Sequence, residues 1–433
     1  MDAGNSIPLA SIAHRALARL AAASGSASLA SLDGETLLGE RAMRAALVVP
    51  GRTSAGGGCR LFEALGDTIA LSLARSADRE MLPALFETDE LDANDDAAIA
   101  ACIARKDAHT LLMRGRSMGL AIAAEQEIRP PPEATPLFGE SSSPAWVELA
   151  SGSRAPAGSR APAGSRASAG SRASAPGASA ALRRAPLRSA PRVVDLSALW
   201  AGPLAAHLLW LAGAEVVKVE SRSRPDALRD AEGDFYALLN QGKATVSVDL
   251  ADGGDRRALL SLIAASDIVI EAARPRALAQ LGIDADQIAR STPGLVWISI
   301  TGHGSAGEAA GWVGFGDDCG VSGGLSAALR SVTGHTGFVG DAIADPLTGI
   351  FAALAAWQAW SARRGARLGL AMSHLVARSL ATAKHENPEA LRSCLRTWGS
   401  AVGRPFPAVT RRTVCARPPS CGNIQAYPAW SAR

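Results

Sequence analysis

RVVDLSALWAGPLAAHLLWLAGAEVVKVE, Arg192 to Glu220, reads as strand, turn, apolar helix and second strand in under thirty residues. Val193 to Leu196 is a short apolar run leading into Ser197. Gly202-Pro203 punctuates, and Leu204 to Leu211 supplies the buried face of a helix that Gly213 stops. Ala214 to Val219 then returns to β-branched residues. Two parallel strands joined over so short a distance need a crossover helix, so the stretch predicts a βαβ unit.

Working outward, the alternation continues toward the C-terminus. The pattern predicts a helix near 227–239, a strand over 244–250, a helix over 255–265, a strand over 267–271, a helix over 283–290 and a strand over 295–300. Strands alternating with helices make an α/β fold, a parallel sheet with flanking helices. An alanine-rich helix is expected over 348–364, and beyond Ala383 the pattern decays. Toward the N-terminus, 7–23 is helical in pattern. Two short strands follow at 60–62 and 68–73, then a helix with Met81, Leu82 and Leu85 inward, then helices over 97–104 and 108–116. These make a small α+β domain placed N-terminally.

Between the two lies a stretch of Ser, Gly, Ala, Arg and Pro, with a hexad that starts at Gly152 and recurs at Gly158, Gly164 and Gly170. The period matches no solenoid, and side chains this small cannot offset the ordering cost, so a flexible, disordered linker is expected. The expected divisions are 1–129 (small domain), 130–191 (linker), 192–385 (large domain) and 386–433 (irregular tail).

Composition narrows the function classes. Apolar residues at 48% support folded cores, while a net charge of +3 and 4% aromatics argue against a nucleic-acid partner. No apolar run reaches a membrane span; 348–360 comes nearest. The N-terminus lacks a charged-then-apolar signal pattern, so a cytoplasmic protein is expected. Six cysteines without a Cys-x-x-Cys pair and seven histidines without His-Glu-x-x-His spacing predict free thiols and no metal site.

Two motifs invite chemistry. Gly302-His303-Gly304-Ser305-Ala306-Gly307 satisfies G-x-G-x-x-G, but three more glycines and no helical period follow in 308–318, and the motif comes at the fifth strand rather than the first. A dinucleotide site is therefore not expected. Asp345-Pro346-Leu347-Thr348-Gly349 reads first as an N-cap with proline at N1. A carboxylate at a helix start can also attack a thioester, with backbone N–H groups nearby for the oxyanion.

Five segments occur together in order: VVDLSALWAGPLAAHLLWLAGAEVVKVE, LLNQGKATVSVDL, EAARPRALAQLGI, PGLVWISITGHGSAG and ADPLTGIFAALAAW. Over roughly 192–367 the chain resembles the family III CoA-transferases (CaiB/BaiF type), a group that includes formyl-CoA transferase, carnitine CoA-transferase and α-methylacyl-CoA racemase. The resemblance implies a large α/β domain, a smaller second domain and commonly an interlocked homodimer. It implies that Asp345 is the catalytic aspartate, forming an aspartyl covalent intermediate, and that Arg222, Lys243 and Arg274 match CoA-contacting positions. The implied partners are an acyl-CoA and a carboxylic acid acceptor, with no metal or redox cofactor beyond the coenzyme A thioester as substrate.

GGGCRLFEALGDTIALSLARSADREMLPALFE, with the later LLMRGRSMGLAIA, looks like the family's small domain. It precedes the large domain here instead of following it, as in a permuted chain or one half of a duplicated member. Phe315-Gly316 stands where the racemases carry His-Asp, which leaves Asp317 or Asp318 as substitute bases. Glu271-Ala272-Ala273 replaces the family's Glu-Asn-Phe. The implied function is CoA transfer between carboxylic acids. The alternatives are an acyl-CoA racemase or isomerase, and a CoA-ester-binding protein without turnover.

Overall fold

A computed structural model describes residues 7–128, 136–138, 144–154, 190–273, 275–415, 417–428 and 430. Its strands, in chain order, are β1 Cys59–Glu63, β2 Thr68–Ser72, β3 Ile122–Ala124, β4 Val147–Arg154, β5 Arg192–Asp195, β6 Glu215–Ser221, β7 Ala244–Val248, β8 Ile268–Glu271, β9 Val296–Thr301, β10 Arg364–Ala371 and β11 Gly422–Asn423.

The opening stretch folds as its pattern predicts. β5 and β6 pair in parallel, with Val193 opposite Val216 and Val194 opposite Val217, and the helix Ala201–Leu211 crosses between them. Gly202 and Pro203 sit inside the first turn of that helix rather than before it. Proline is tolerated there because the first-turn N–H has no intrahelical partner to lose. Gly213, at φ 98°, follows the helix in a conformation that favours glycine.

β1, β2 and β3 form a small antiparallel sheet. The other eight strands form one sheet in the order β11-β7-β6-β5-β8-β9-β10-β4. β5 to β10 are all parallel, and their Val and Ile side chains are buried on both faces, as helix-covered strands require. The chain enters at the centre with β5, moves outward to β7, then returns to the centre at β8 and moves the other way. Its direction of travel therefore reverses between β5 and β8.

The helix Ala344–Ser361 is the centre of the largest core. It packs against Ala201–Leu211 on one side and the N-terminal helix Ala10–Ser24 on another. Close packing follows from small side chains: a Cβ on Gly349 would lie 2.7 Å from the carbonyl oxygen of Ala201. Among the described residues no helix is long and apolar enough to cross a membrane.

The packing departs from the expected divisions in three places. First, 1–129 is not one unit. Ile12, Ala13, Ala16, Leu17 and Leu20 of the N-terminal helix, with Leu37 and Leu38 of Gly34–Arg44, join the core around Ala344–Ser361. The compact small unit begins near β1, with its own core of Ile69, Leu71, Leu82, Leu85, Ile99 and Leu111. It docks through Leu61 and Ala70 against Val321 and Phe338, and the N–H groups of Gln126 and Ile128 donate to the Val321 and Ser322 carbonyls at 3.1 and 3.0 Å.

Second, the stretch 130–191 contributes to the sheet. β4 pairs antiparallel with β10, and Leu137 and Phe138 are buried. A ladder is made by backbone groups, so small side chains do not prevent it. The remaining hexads, in 155–189, fall outside the described residues.

Third, described residues of the tail beyond 386 pack against the rest of the fold. Pro388–Ser400 is a helix whose Leu395 and Trp398 are buried, and the Trp398 indole N–H donates to the Phe338 carbonyl at 3.0 Å. Arg412 Nε donates to Glu40 Oε2 at 2.8 Å, and β11 adds in parallel to β7. Leu391, Leu395 and Trp398 keep helical spacing, but so few apolar positions make a weak pattern.

Candidate active site

In an open parallel sheet the crevice for ligands lies beyond the carboxyl ends of the strands, where the strand order reverses. A cavity of about 290 Å³ opens at that place. Leu199 beyond β5, Ala272 and Ala273 beyond β8, Thr301 at the end of β9 and Met372 beyond β10 line it. The wall is mostly apolar, and among the described residues Asp345 and Arg75 are the charged ones that line it.

Asp345 reaches the cavity from the start of the helix Ala344–Ser361. It is not the N-cap: Ile343 holds that position, and Asp345 is the second helical residue, its N–H donating to the Ala342 carbonyl at 2.9 Å. The helix begins early because Gly340 (φ 81°) and Ala342 (φ 42°) turn the backbone through the left-handed region just before it. The carboxylate therefore caps nothing of its own helix. It is partly buried, faces the cavity and accepts the N–H of Gly316, which opens the helix Gly316–Ser322.

The approach is close enough to require glycine. A Cβ on Gly316 would lie 2.2 Å from the Ala342 oxygen and 2.3 Å from Asp345 Oδ2. The Phe315-Gly316 pair thus has a structural role here, with the Phe315 ring in the cavity wall and Gly316 behind the carboxylate.

Burial and, after it, the like charge of Asp317 push the Asp345 carboxyl up to about 7, while the Arg41 guanidinium acts in the opposite direction. Asp317 is also pushed up to about 7, first by burial and then by the charge of Asp341; the Ser54 hydroxyl and the Ala342 N–H, at 3.0 Å, oppose this. Carboxylates so coupled titrate as a set. Arg41 comes from the N-terminal segment. Its Nη1 donates to Asp341 Oδ1 at 2.6 Å and its Nη2 to Glu232 Oε1 at 2.7 Å. Burial alone would lower its basicity, but these two carboxylates hold it well above the usual arginine value.

Asp341 is fully buried against Arg41 and does not line the cavity. Asp318 is also fully buried: Oδ1 accepts the Phe315 N–H at 2.8 Å, and Oδ2 lies 3.0 Å from His303 Nε2. Neither Asp317 nor Asp318 stands in the cavity wall where a substitute base would have to be. In the G-x-G-x-x-G segment, Gly307 is followed by the four-residue 3₁₀ turn Glu308–Gly311 rather than a helix packed on the sheet.

The three residues matched to CoA contacts are not brought together. Lys243 is buried, and its ammonium donates to Asp195 Oδ2, the Pro203 carbonyl and Asn240 Oδ1, each at 2.9 Å. Enclosed in this way it ties β5 to the Asn240 turn, and it does not line the cavity. Burial and the neighbouring Lys218 push it down to about 8, against the pull of Asp195. Arg222 lies beyond β6, paired with Asp255 Oδ2 at 2.8 Å and about half exposed. It does not line the cavity. Arg274 lies outside the described residues.

Two residues at the site escape sequence reasoning. Arg41 is about 300 positions from the aspartates it neutralises, and nothing local marks it. Arg75 stands at the start of a short helix in the small unit, where its spacing signals only a surface charge.

Residues 189–387 match the model of CoA-transferase family III. The chain is 30% identical over 179 residues to succinyl-CoA–D-citramalate CoA-transferase of Chloroflexus aurantiacus, covering 38% of this chain and 43% of that protein. It is 32% identical over 185 residues to succinate–glutarate CoA-transferase of Agrobacterium fabrum, covering 39% and 45%. A hypothetical protein from Mycobacterium tuberculosis superposes with a TM-score of 0.41 at 27% identity, over 46% of this chain and 57% of that one. The chain thus spans less than half the length of the two named transferases. The family III match includes Asp345, Gly316 and every strand from β5 to β10.

Proposed function

We propose that this protein transfers coenzyme A between carboxylic acids, with Asp345 as the nucleophile. One observation carries the reading: among the described residues, Asp345 is the one carboxylate in a mostly apolar wall at the point where the strand order reverses, and its pKa is raised. The two named relatives, both CoA-transferases, support it.

In the proposed sequence, an Asp345 carboxylate oxygen attacks the thioester carbonyl of the donor. The C–S bond breaks, giving a mixed anhydride and free CoA thiolate. The thiolate attacks the Asp345 carbonyl, releasing the donor acid and leaving an aspartyl-CoA thioester. The acceptor carboxylate attacks that thioester to give a second anhydride and thiolate. The thiolate then takes the acceptor acyl group and frees Asp345. Each step exchanges one acyl bond for another, so electrons balance without a redox partner. The apolar wall excludes water, which would otherwise hydrolyse the anhydride.

The deciding experiment is covalent capture. Incubation with an acyl-CoA followed by hydroxylamine should place a hydroxamate on the peptide containing Asp345, identified by mass spectrometry. A labelled peptide elsewhere, or none, would exclude the reading.

The pH profile gives a second check. Only the ionised carboxylate attacks, so kcat/KM should fall as pH drops through about 7. Asp317→Asn removes the like charge while keeping an acceptor for the Ala342 N–H. It should move that acid limb to lower pH. An unmoved limb would mean that another group sets it.

A further inference from the structure

We infer that Arg75 is a specificity-determining residue that binds an anionic group at the far end of the acyl chain, so that the preferred substrates carry a second carboxylate. The inference rests on the CoA-transfer reading and adds to it which acyl groups the cavity takes.

A volume of about 290 Å³ lies at the small end of the ligand-pocket range, roughly 300 to 1,000 Å³, and suits an acyl group rather than a whole CoA. Along its wall the charged groups are Asp345 and Arg75. Asp345 is occupied at the reacting carbonyl. Among the described lining residues, Arg75 is the cation left for another part of the substrate.

The guanidinium is held for such a role. Arg75 Nε donates to Asp78 Oδ1 at 2.9 Å and Oδ2 at 3.1 Å, while Nη2 donates to the Gly119 carbonyl at 3.1 Å and also bonds Asp78. Its carbon centre lies 5.8 Å from the centroid of the Phe315 ring, which is itself in the cavity wall. Asp78 is fully buried, so the anchor is fixed from behind. Nη1 has no partner among the described residues. A guanidinium so oriented loses little freedom on binding and offers a charge-assisted N–H to a carboxylate. An acyl chain ending in a methyl group gains nothing from it. A terminal carboxylate placed against the same alanine, leucine and phenylalanine wall would lack a charged donor without it.

Arg75 belongs to the small unit, whereas Asp345 belongs to the large one. The seam between them thus sets the acyl length that can bridge nucleophile and cation.

Calorimetric titration of the full chain with glutarate, butyrate and CoA tests the inference on wild type, Arg75→Ala and Arg75→Lys. Glutarate should bind about 10- to 100-fold more weakly to Arg75→Ala, with partial recovery in Arg75→Lys. Butyrate and CoA should change less than about threefold. Equal or undetectable glutarate binding by wild type and Arg75→Ala overturns the inference. So does an equal loss for CoA, which would assign Arg75 to a phosphate instead. Binding does not depend on turnover, so the two readings fail separately. Transfer surviving in Asp345→Asn would remove the nucleophile while leaving the Arg75 result standing.

Discussion

Asp345→Asn should lower CoA transfer by at least about a thousandfold, with thermal stability at pH 8 unchanged or higher. The amide is the same size and still accepts the Gly316 N–H, but it cannot form an anhydride. Stability follows from the raised pKa. A carboxyl lifted from its ordinary 3.8 to about 7 by the fold favours the folded state most below pH 4. That contribution is lost as pH rises through 7, and above it the ionised group is a burden the amide lacks. A melting temperature at pH 8 several degrees below wild type would show that the carboxylate supports the fold, contrary to the cavity geometry. At least a tenth of wild-type transfer would show that this residue is not the nucleophile.

Gly316→Ala should lower kcat/KM by at least about a hundredfold and destabilise the protein by about 1 to 3 kcal/mol, the cost of overpacking. A methyl group there overlaps the Ala342 oxygen and the Asp345 carboxylate, so either the helix start or the nucleophile must move. Gly311→Ala, with nothing within 4 Å of its added Cβ, is the matched control and should behave as wild type. Equal kcat/KM in the two variants would mean that the position of Asp345 is not set by the Gly316 backbone.

Much of the large domain is legible in its sequence because its elements are local. Each strand from β5 to β9 is a short run of Val and Ile, and each crossover helix closes within a few residues, so period and punctuation suffice. That Asp345 lies near a helix start is legible for a related reason: the residues around it form one contiguous segment. Its position as the second helical residue is not, because the early helix start depends on left-handed backbone at Gly340 and Ala342. Arg41, Arg75 and the pairing of β4 with β10 depend on tertiary contacts between distant segments. No window of local spacing contains both partners. Lys243 shows another limit of local reading: a lysine in a turn looks exposed, yet Asp195 and two further acceptors enclose it.

The two outermost strands of the large sheet come from outside residues 189–387: β4 at one end and β11 at the other. Without them β10 and β7 would present bare rows of N–H and C=O groups, and bare edges of apolar parallel strands recruit strands from other molecules. The added edges are poor templates in their turn. β11 is two residues long, and β4 meets β10 with two register shifts that break an even ladder. The same flanking segments that obscure the domain boundaries in the sequence thus protect the sheet against aggregation. A fragment trimmed to the family III segment would be expected to lose solubility through its edges before it lost its core.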